Sequence, residues 1–571
     1  MKFFTTRLPF ASPLLLAALV ACQATPAPAQ TAVPPPSTTA PAATGAAATP
    51  APPTPLPARE PARLEALKVQ VVLVDQVGYL PTMSKLGLVA DASAATFQVV
   101  DLKTSESVLN GTLADAARDD NGQSLRRADF SALTEPGTYA LNIPGVGRSP
   151  DFRIGDDVYQ KLNADAWASY EQLAVLAPKA WQTASVKDRQ SGQQLDITGG
   201  WPDAGDYGRY MPSAAGALGT LLLVNDLRGE APHPDELQVL KRELDWMLKM
   251  QRPDGSLYHK VTPLNFGSFD KGTDNVGGQL YAFEVSTPDT AAFAAIAASA
   301  GRTYRGVDAA YADQLQKAAE AAWAWLERNP KPTLPTEIEG TGAYVYGNDT
   351  TQRFWAATEL FRATGDASYG QAVRTYLDKR PPSIEPLGWS NTTTYALLSL
   401  AFNTNADQPL RTQIGQLLTR WADGLATTVN SRTNPWAVSI SNFHWASNKT
   451  MLDNSVLLLA ANRLSPNPRY TAAALEQLHF VLGRNALAKS YVTGYGANSV
   501  KNPHNRTMYA LDRVVPGVLV GGPNGDAQDN VTPAAQGQRS YADELKAYAS
   551  NENSIEYNAP LAVLTAQFAG S

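Results

Sequence analysis

Residues 199–227 read "GGWPDAGDYGRYMPSAAGALGTLLLVNDL", an irregular, aromatic stretch running into an apolar one. Residues 199–210 hold four glycines, one proline, three aromatics and two acids, Asp203 and Asp206, three positions apart. Glycines at this density permit turns that a side chain would forbid, so both carboxylates are expected on a loop. That loop precedes a helix opening near Pro212.

The same helical character continues outward from about Val158 to the C-terminus. "YQKLNADAWASYEQLAVL", "PDELQVLKRELDWMLKMQ", "YADQLQKAAEAAWAWLERN", "RTQIGQLLTRWADGLATTV" and "RYTAAALEQLHFVLGRN" place apolar residues at i, i+3, i+4 and i+7. About a dozen such stretches follow one another, and strand-like runs nearly vanish. No shared repeat of about 33 to 45 residues is visible, which favours a closed helical array over a solenoid. Residues 158–569 are therefore expected to be one all-α domain whose function sits in its long Gly-, Asn-, Trp- and Tyr-rich loops.

Toward the N-terminus the pattern changes. "KVQVVLVDQVGY", "KLGLVAD", "ATFQVVDL", "RRADFSAL" and "GTYALNI" are short β-branched and aromatic runs separated by turn residues. Residues 67–154 are expected to form a small all-β sandwich. Residues 23–66 are mostly Ala, Pro and Thr and cannot offset their ordering entropy by burial, so they read as a tether. Residues 1–22 carry Lys2 and Arg7 before "PLLLAALVAC", an export signal whose apolar run is too short to span a bilayer. Leu19-Val20-Ala21-Cys22 resembles the bacterial lipobox, which makes Cys22 the expected lipidation site. Gln23 after it favours the outer membrane if there is one. The expected location is a lipid-anchored protein at the cell surface or outer membrane, otherwise a secreted one.

Composition excludes several classes. Hydrophobic residues make up 44% of 571, enough for a large core. The net charge of −6 and the absence of a long Lys/Arg run argue against a nucleic-acid partner. Cys22 is the only cysteine, so neither an internal disulfide nor a multi-cysteine zinc site can form. No metal ligands stand out and no cofactor is expected, although loop Asp and Asn groups could hold a structural calcium. A monomer is expected.

The chemistry is expected in the loops. "YADELKAYASNENSIEYNAPL" carries Asp543 and, nine residues later, Glu552. "SYVTGYGANSVKNPHNR" ends in His504 and Arg506. Trp201, Tyr207, Tyr210, Tyr491, Tyr495, Tyr548 and Tyr557 flank these acids. Carboxylates among aromatic faces suit a sugar, because rings stack on a pyranose while acids handle its hydroxyls and glycosidic oxygen. His444 and the loop tryptophans Trp389, Trp436 and Trp445 are further candidates for sugar contact. Trp246, Trp323, Trp325 and Trp355 fall within helical patterns and read as core.

Together "QVGYLP", "GGWPDAGDYGRY", "SYVTGYGANSVKNPHNR" and "YADELKAYASNENSIEYNA" resemble glycoside hydrolase family 9, the cellulase family, in the subgroup with an N-terminal immunoglobulin-like domain. The likeness spans about residues 67–568. It implies an (α/α)6 barrel behind an immunoglobulin-like sandwich and hydrolysis of β-1,4-glucosidic bonds with inversion, as in an endoglucanase or cellodextrinase. Asp206 then matches the base that activates water, Asp203 the carboxylate that helps hold it, and Glu552 the general acid. Asp543 matches a second signature acid, and His504 and Arg506 match residues that bind the sugar at the cleavage point. Tyr207, Tyr548 and Trp445 are the implied substrate contacts. Tyr548, Tyr557 and Asp543 are expected to surround Glu552 and raise its pKa. Pro202 and Asn505 depart from common family residues. An exo-acting β-glucosidase or exo-β-glucosaminidase of the same family, and a non-catalytic glycan-binding protein, are the rival readings.

Overall fold

The structure is a computed structural model that describes residues 60–569, apart from positions 62–63, 92, 120, 184, 231–232 and 272–275. The leader, Cys22 and most of the tether lie outside the described residues.

Among the described residues, twelve helices of ten or more residues fall into six consecutive pairs, outer then inner. The inner helices are Met211–Leu221, Thr287–Tyr304, Thr350–Thr364, Thr393–Phe402, Ser447–Leu464 and Ile555–Ala566. Every residue of Met211–Leu221 and of Ile555–Ala566 is buried. Their small residues let neighbours approach from all sides, as "PSAAGALG" and the alanines of Thr287–Tyr304 illustrate. Most outer helices bury a stripe, while Pro468–Val481 is buried on every face from Ala473 onward. Gln408–Val429 buries Ile414, Leu418, Ala422, Ala426 and Val429, spaced by whole turns. The ring closes where Ile555–Ala566 packs on Met211–Leu221 and Ser447–Leu464. The alternation of outer and inner helices around a closed ring makes an α/α barrel.

Two sheets precede the barrel. One runs Glu60–Pro61, Glu106–Thr112, Thr96–Asp101, Gly137–Ile143, Phe152–Ile154, Gly78–Tyr79, and the other Val72–Leu73, Leu86–Val89, Ser124–Asp129, Ala114–Arg118. Their facing apolar residues, among them Val99, Phe130, Leu141 and Phe152, form a separate core. Glu60–Pro61 pairs with Glu106 and Ser107, so the sheet begins inside the stretch expected to be tether up to residue 66.

Strand-like runs nearly vanish from the sequence after residue 158, yet a third sheet forms there. Gln194–Leu195, Val186–Asp188, Leu280–Ala282, Lys260–Thr262 and Arg209–Tyr210 form a five-stranded sheet beside the barrel. Strands of two or three residues are too short for alternation to register.

The "QVGY" segment joins sandwich to barrel. Gln76 N donates to Leu482 O, its Nε2 donates to Ala488 O at 2.6 Å, and its Oε1 accepts from Asn498 N at 2.8 Å. Asp75, fully buried, accepts from Val77 N and Gly78 N, and its other oxygen lies 2.8 Å from buried His479 Nδ1. Tyr159 OH donates to Gly78 O and Asp75 Oδ2. Asp75→Ala strips partners from buried His479 and from two backbone amides, a loss expected to cost about 2 kcal/mol or more. Thermal unfolding of the variant should begin several degrees earlier; an unchanged melting curve would show that this junction contributes nothing.

Candidate active site

Three distant segments meet at one end of the barrel. Ile555 N donates to Asp203 O at 2.8 Å, Arg506 N donates to Gly205 O at 3.1 Å, and His504 N donates to Asn551 O at 2.9 Å. Asn505 Nδ2 adds bonds to Ala204 O and Asn553 Oδ1. Ser554 caps Ile555–Ala566 by accepting from Glu556 N, and Glu552, the extended residue that ends the short helix Tyr548–Asn551, lies two residues ahead of that cap. Asp203, Asp206, Glu552, His504 and Arg506 thereby line one cavity of about 770 Å³.

Each acid is held differently. Asp206 accepts from Gly208 N at 2.8 Å and from Tyr210 OH at 2.9 Å. Asp203 Oδ2 accepts from Tyr344 OH at 2.8 Å, while its Oδ1 has no donor within hydrogen-bond distance. Glu552 Oε1 accepts from Gly205 N at 3.0 Å. Burial and the neighbouring Asp206 charge push Asp203 up to about 7. Burial raises Asp206 as well, against the pull of Gly208 N–H, Tyr210, Arg506 and Lys260. Glu552 is pushed up to about 8, by burial and then by the charges of Asp206 and Asp203. Near neutral pH, Glu552 therefore holds a proton while sitting beside carboxylates. Burial lowers His504 to about 4, so its ring is neutral, with Nδ1 2.6 Å from Leu545 O. Arg506 donates to Gly267 O and Gly205 O and lies over the Phe269 ring at 4.3 Å.

Aromatic faces complete the cavity. Trp445 and Tyr548, each 38% exposed, stand 6.1 Å apart, and Trp445 Nε1 donates to Tyr557 OH at 2.5 Å. Trp389 packs on Tyr344 and Tyr346, and Phe266 is 39% exposed at the rim. Lys449 and Glu556 lie deeper, 3.6 Å apart, and Lys449 also donates to Asp453 at 2.6 Å. Burial opposes the Lys449 charge, but Asp453 and Glu556 outweigh it and hold its pKa up.

Several sequence expectations need correction. Tyr207 does not line the cavity: its ring packs in the core and its carbonyl accepts from Trp181 Nε1. Asp543 does not reach the cavity either. It accepts from Lys501 N, Asn502 N and Lys489 Nζ, fastening the segment that leads to His504. The surroundings that raise Glu552 are its burial and the two aspartates rather than Asp543. Trp201 and Tyr491 are core residues, and neither His444 nor Trp436 lines this cavity. Tyr344, Lys449 and Glu556 went unrecognised. Tyr344 lies in the loop "GTGAYVYGND", whose only acid is Asp349, and the other two lie inside helical patterns whose burial on all sides hides a facing direction. Among the described residues, no group of three or more His, Cys, Asp or Glu side chains could hold a metal ion.

An α/α barrel with a protonated glutamic acid and two aspartates in an aromatic-walled cavity defines a glycoside hydrolase. The profile of glycosyl hydrolase family 9 matches residues 159–565, and that of the cellulase N-terminal ig-like domain matches residues 68–148. The chain is 30% identical over 534 residues to endoglucanase D of Acetivibrio thermocellus, covering 87% of this chain and 83% of that one. It is 32% identical over 541 residues to a cellodextrinase of Butyrivibrio fibrisolvens, covering 86% and 98%. The crystal structure of a metagenome-derived glycoside hydrolase family 9 endoglucanase superposes with a TM-score of 0.82 at 34% identity, covering 88% of this chain and 99% of that one. The chain belongs to glycoside hydrolase family 9, with an (α/α)6 barrel behind an immunoglobulin-like domain.

Gly205 is where the acid loop comes closest to Glu552. A Cβ there would lie 2.7 Å from Glu552 Oε1 and would strike His504 O. Gly205→Ala would displace Glu552 and is expected to lower kcat on an oligosaccharide at least tenfold, roughly the effect of a small displacement if that carboxyl takes part in turnover. Wild-type turnover in that variant would show that the contact does not set the position of Glu552.

Proposed function

We propose that this enzyme hydrolyses β-1,4-glucosidic bonds of cellulose-type glucans or cello-oligosaccharides with inversion. The single observation that carries the reading is Glu552, pushed up to about 8 in the cavity that also holds Asp206. Asp206 accepts a proton from a water as that water's oxygen bonds to the anomeric carbon, and Asp203 helps orient the water. The bond from that carbon to the glycosidic oxygen breaks, and Glu552 gives its proton to the departing oxygen. His504 and Arg506 hold the sugar at the cleavage point, and Trp389, Trp445 and Tyr548 offer ring faces to its neighbours. The endoglucanase and cellodextrinase relatives support the β-1,4-glucan assignment. A protein that only bound glycans would need no protonated acid. The export signal and lipobox-like Cys22 support an exported, lipid-anchored enzyme acting on glucan outside the cell.

Glu552 must be protonated to act, so activity should fall as pH rises through about 8. Asp206 must be ionised, and because its pKa is raised, activity should fall on the acid side before ordinary carboxylates titrate. Glu552→Gln should keep oligosaccharide binding while losing hydrolysis by about 10²–10⁴-fold and flattening the alkaline limb. Unchanged turnover would remove Glu552 from this role. With cellohexaose, early products of mixed length indicate internal cutting, whereas monomer alone would replace it with an exo-acting reading.

A further inference from the structure

Lys260 is a buried cation with no part in the proton transfers described above. It is 1% exposed and begins the strand Lys260–Thr262, where it pairs in register with Tyr210. Its Nζ donates to Thr341 O at 2.9 Å, Thr341 Oγ1 at 2.9 Å and Gly342 O at 2.6 Å. An ammonium group has three protons, so all of them are directed at one turn.

That turn leads into Tyr344 and Tyr346, and both phenols end on acids. Tyr344 OH donates to Asp203 Oδ2 at 2.8 Å, and Tyr346 OH donates to Asp289 Oδ1 at 2.9 Å. The other oxygen of Asp289 lies 2.7 Å from Nδ1 of His259, the residue before Lys260. Residues 259 and 260 thus hold the 341–346 segment at both ends. Gly342 has φ +75°, and a Cβ there would lie 2.6 Å from Tyr210 OH, so the turn passes directly against the tyrosine that donates to Asp206. The Tyr210 and Tyr344 rings are 4.9 Å apart.

We infer that Lys260 is a positioning residue: its ammonium grips the 341–342 turn and so aims the Tyr344 phenol at Asp203. The inference rests on reading Asp203 and Asp206 as the pair that handles the nucleophilic water. A buried ammonium is costly unless each proton is used. Burial lowers this one to about 8 even with Glu284, Glu337, Asp206 and Asp289 nearby. That cost gives a neutral residue the advantage for stability alone, and a three-pronged grip on the turn accounts for a cation. The five-stranded sheet thereby acquires a role, since it sets Lys260 opposite Tyr210 and ties both tyrosines to one backbone.

The test is a double-mutant cycle on cello-oligosaccharide hydrolysis in the full chain. Lys260→Met and Tyr344→Phe should each lower kcat about tenfold with KM changed less than about threefold, and the double variant should be no slower than the slower single. Wild-type kcat in Lys260→Met, or a double-variant loss equal to the product of the singles, would overturn the inference. If Lys260→Met does not fold, Thr341→Val, which removes one acceptor, takes its place and should show a smaller kcat loss that again does not multiply with Tyr344→Phe; unchanged or multiplying losses overturn the proposal. Asp206→Asn separates the two levels. Its wild-type activity would refute the reading of the aspartate pair itself, whereas its inactivity beside an active Lys260→Met would refute only the role of Lys260.

Discussion

The site exists because backbone hydrogen bonds tie the loop at residues 203–206 to segments some three hundred residues away. Asp203 O receives Ile555 N, and Gly205 O receives Arg506 N, so the last inner helix and the His504 segment are indexed directly to the acid loop. Gly205 then offers its own N–H to Glu552, and the missing side chain at that position is what allows the approach. The first two are bonds between backbone groups and the third joins a backbone amide to a carboxylate, and leaving such groups buried without partners is costly enough to make their registry demanding. Ring closure of the barrel supplies the frame: with Ile555–Ala566 packed on Met211–Leu221, the first and last inner helices bring their loops to the same mouth.

That geometry also creates the chemistry. Carboxylates gathered in a buried site cannot all stay ionised, so burial and mutual repulsion raise their affinity for protons. Glu552 feels both aspartates, whereas Asp206 is offset by Gly208 N–H, the Tyr210 hydroxyl, Arg506 and Lys260. Neighbours thus give carboxyl groups of one kind different affinities for protons. Tyr210 and Tyr344 reinforce the division by each serving one aspartate, and the small sheet sets the two rings side by side.

Much of this was legible in the sequence. The outer helices announce themselves through stripes such as Ile414, Leu418 and Ala422, and Gly-rich loops mark Asp203, Asp206 and His504, whereas Glu552 sits in a glycine-free stretch and stands out only through the resemblance of "YASNENSIEYNA" to the family motif. Inner helices such as Thr393–Phe402 are apolar all round, so their position in the ring, and the inward direction of Lys449 or Glu556, cannot be read from periodicity. Tyr207 misled because it adjoins Asp206, yet its ring packs into the core while Asp206 faces the cavity. Asp543 misled because an acid in a rich loop can fasten backbone amides as readily as it can meet a substrate. Lys260 gave no signal, since strands of two or three residues carry no alternation.

In the proposed mechanism a water held by Asp206 and Asp203 attacks directly while Glu552 donates its proton, with no covalent sugar on the enzyme. Proton NMR of a cello-oligosaccharide digest in its first minutes reports this through the anomeric configuration of the newly formed reducing end. The α-anomer should appear first and then relax toward equilibrium by mutarotation. Initial accumulation of the β-anomer would mean a retaining, two-step reaction and would contradict the roles assigned to all three acids.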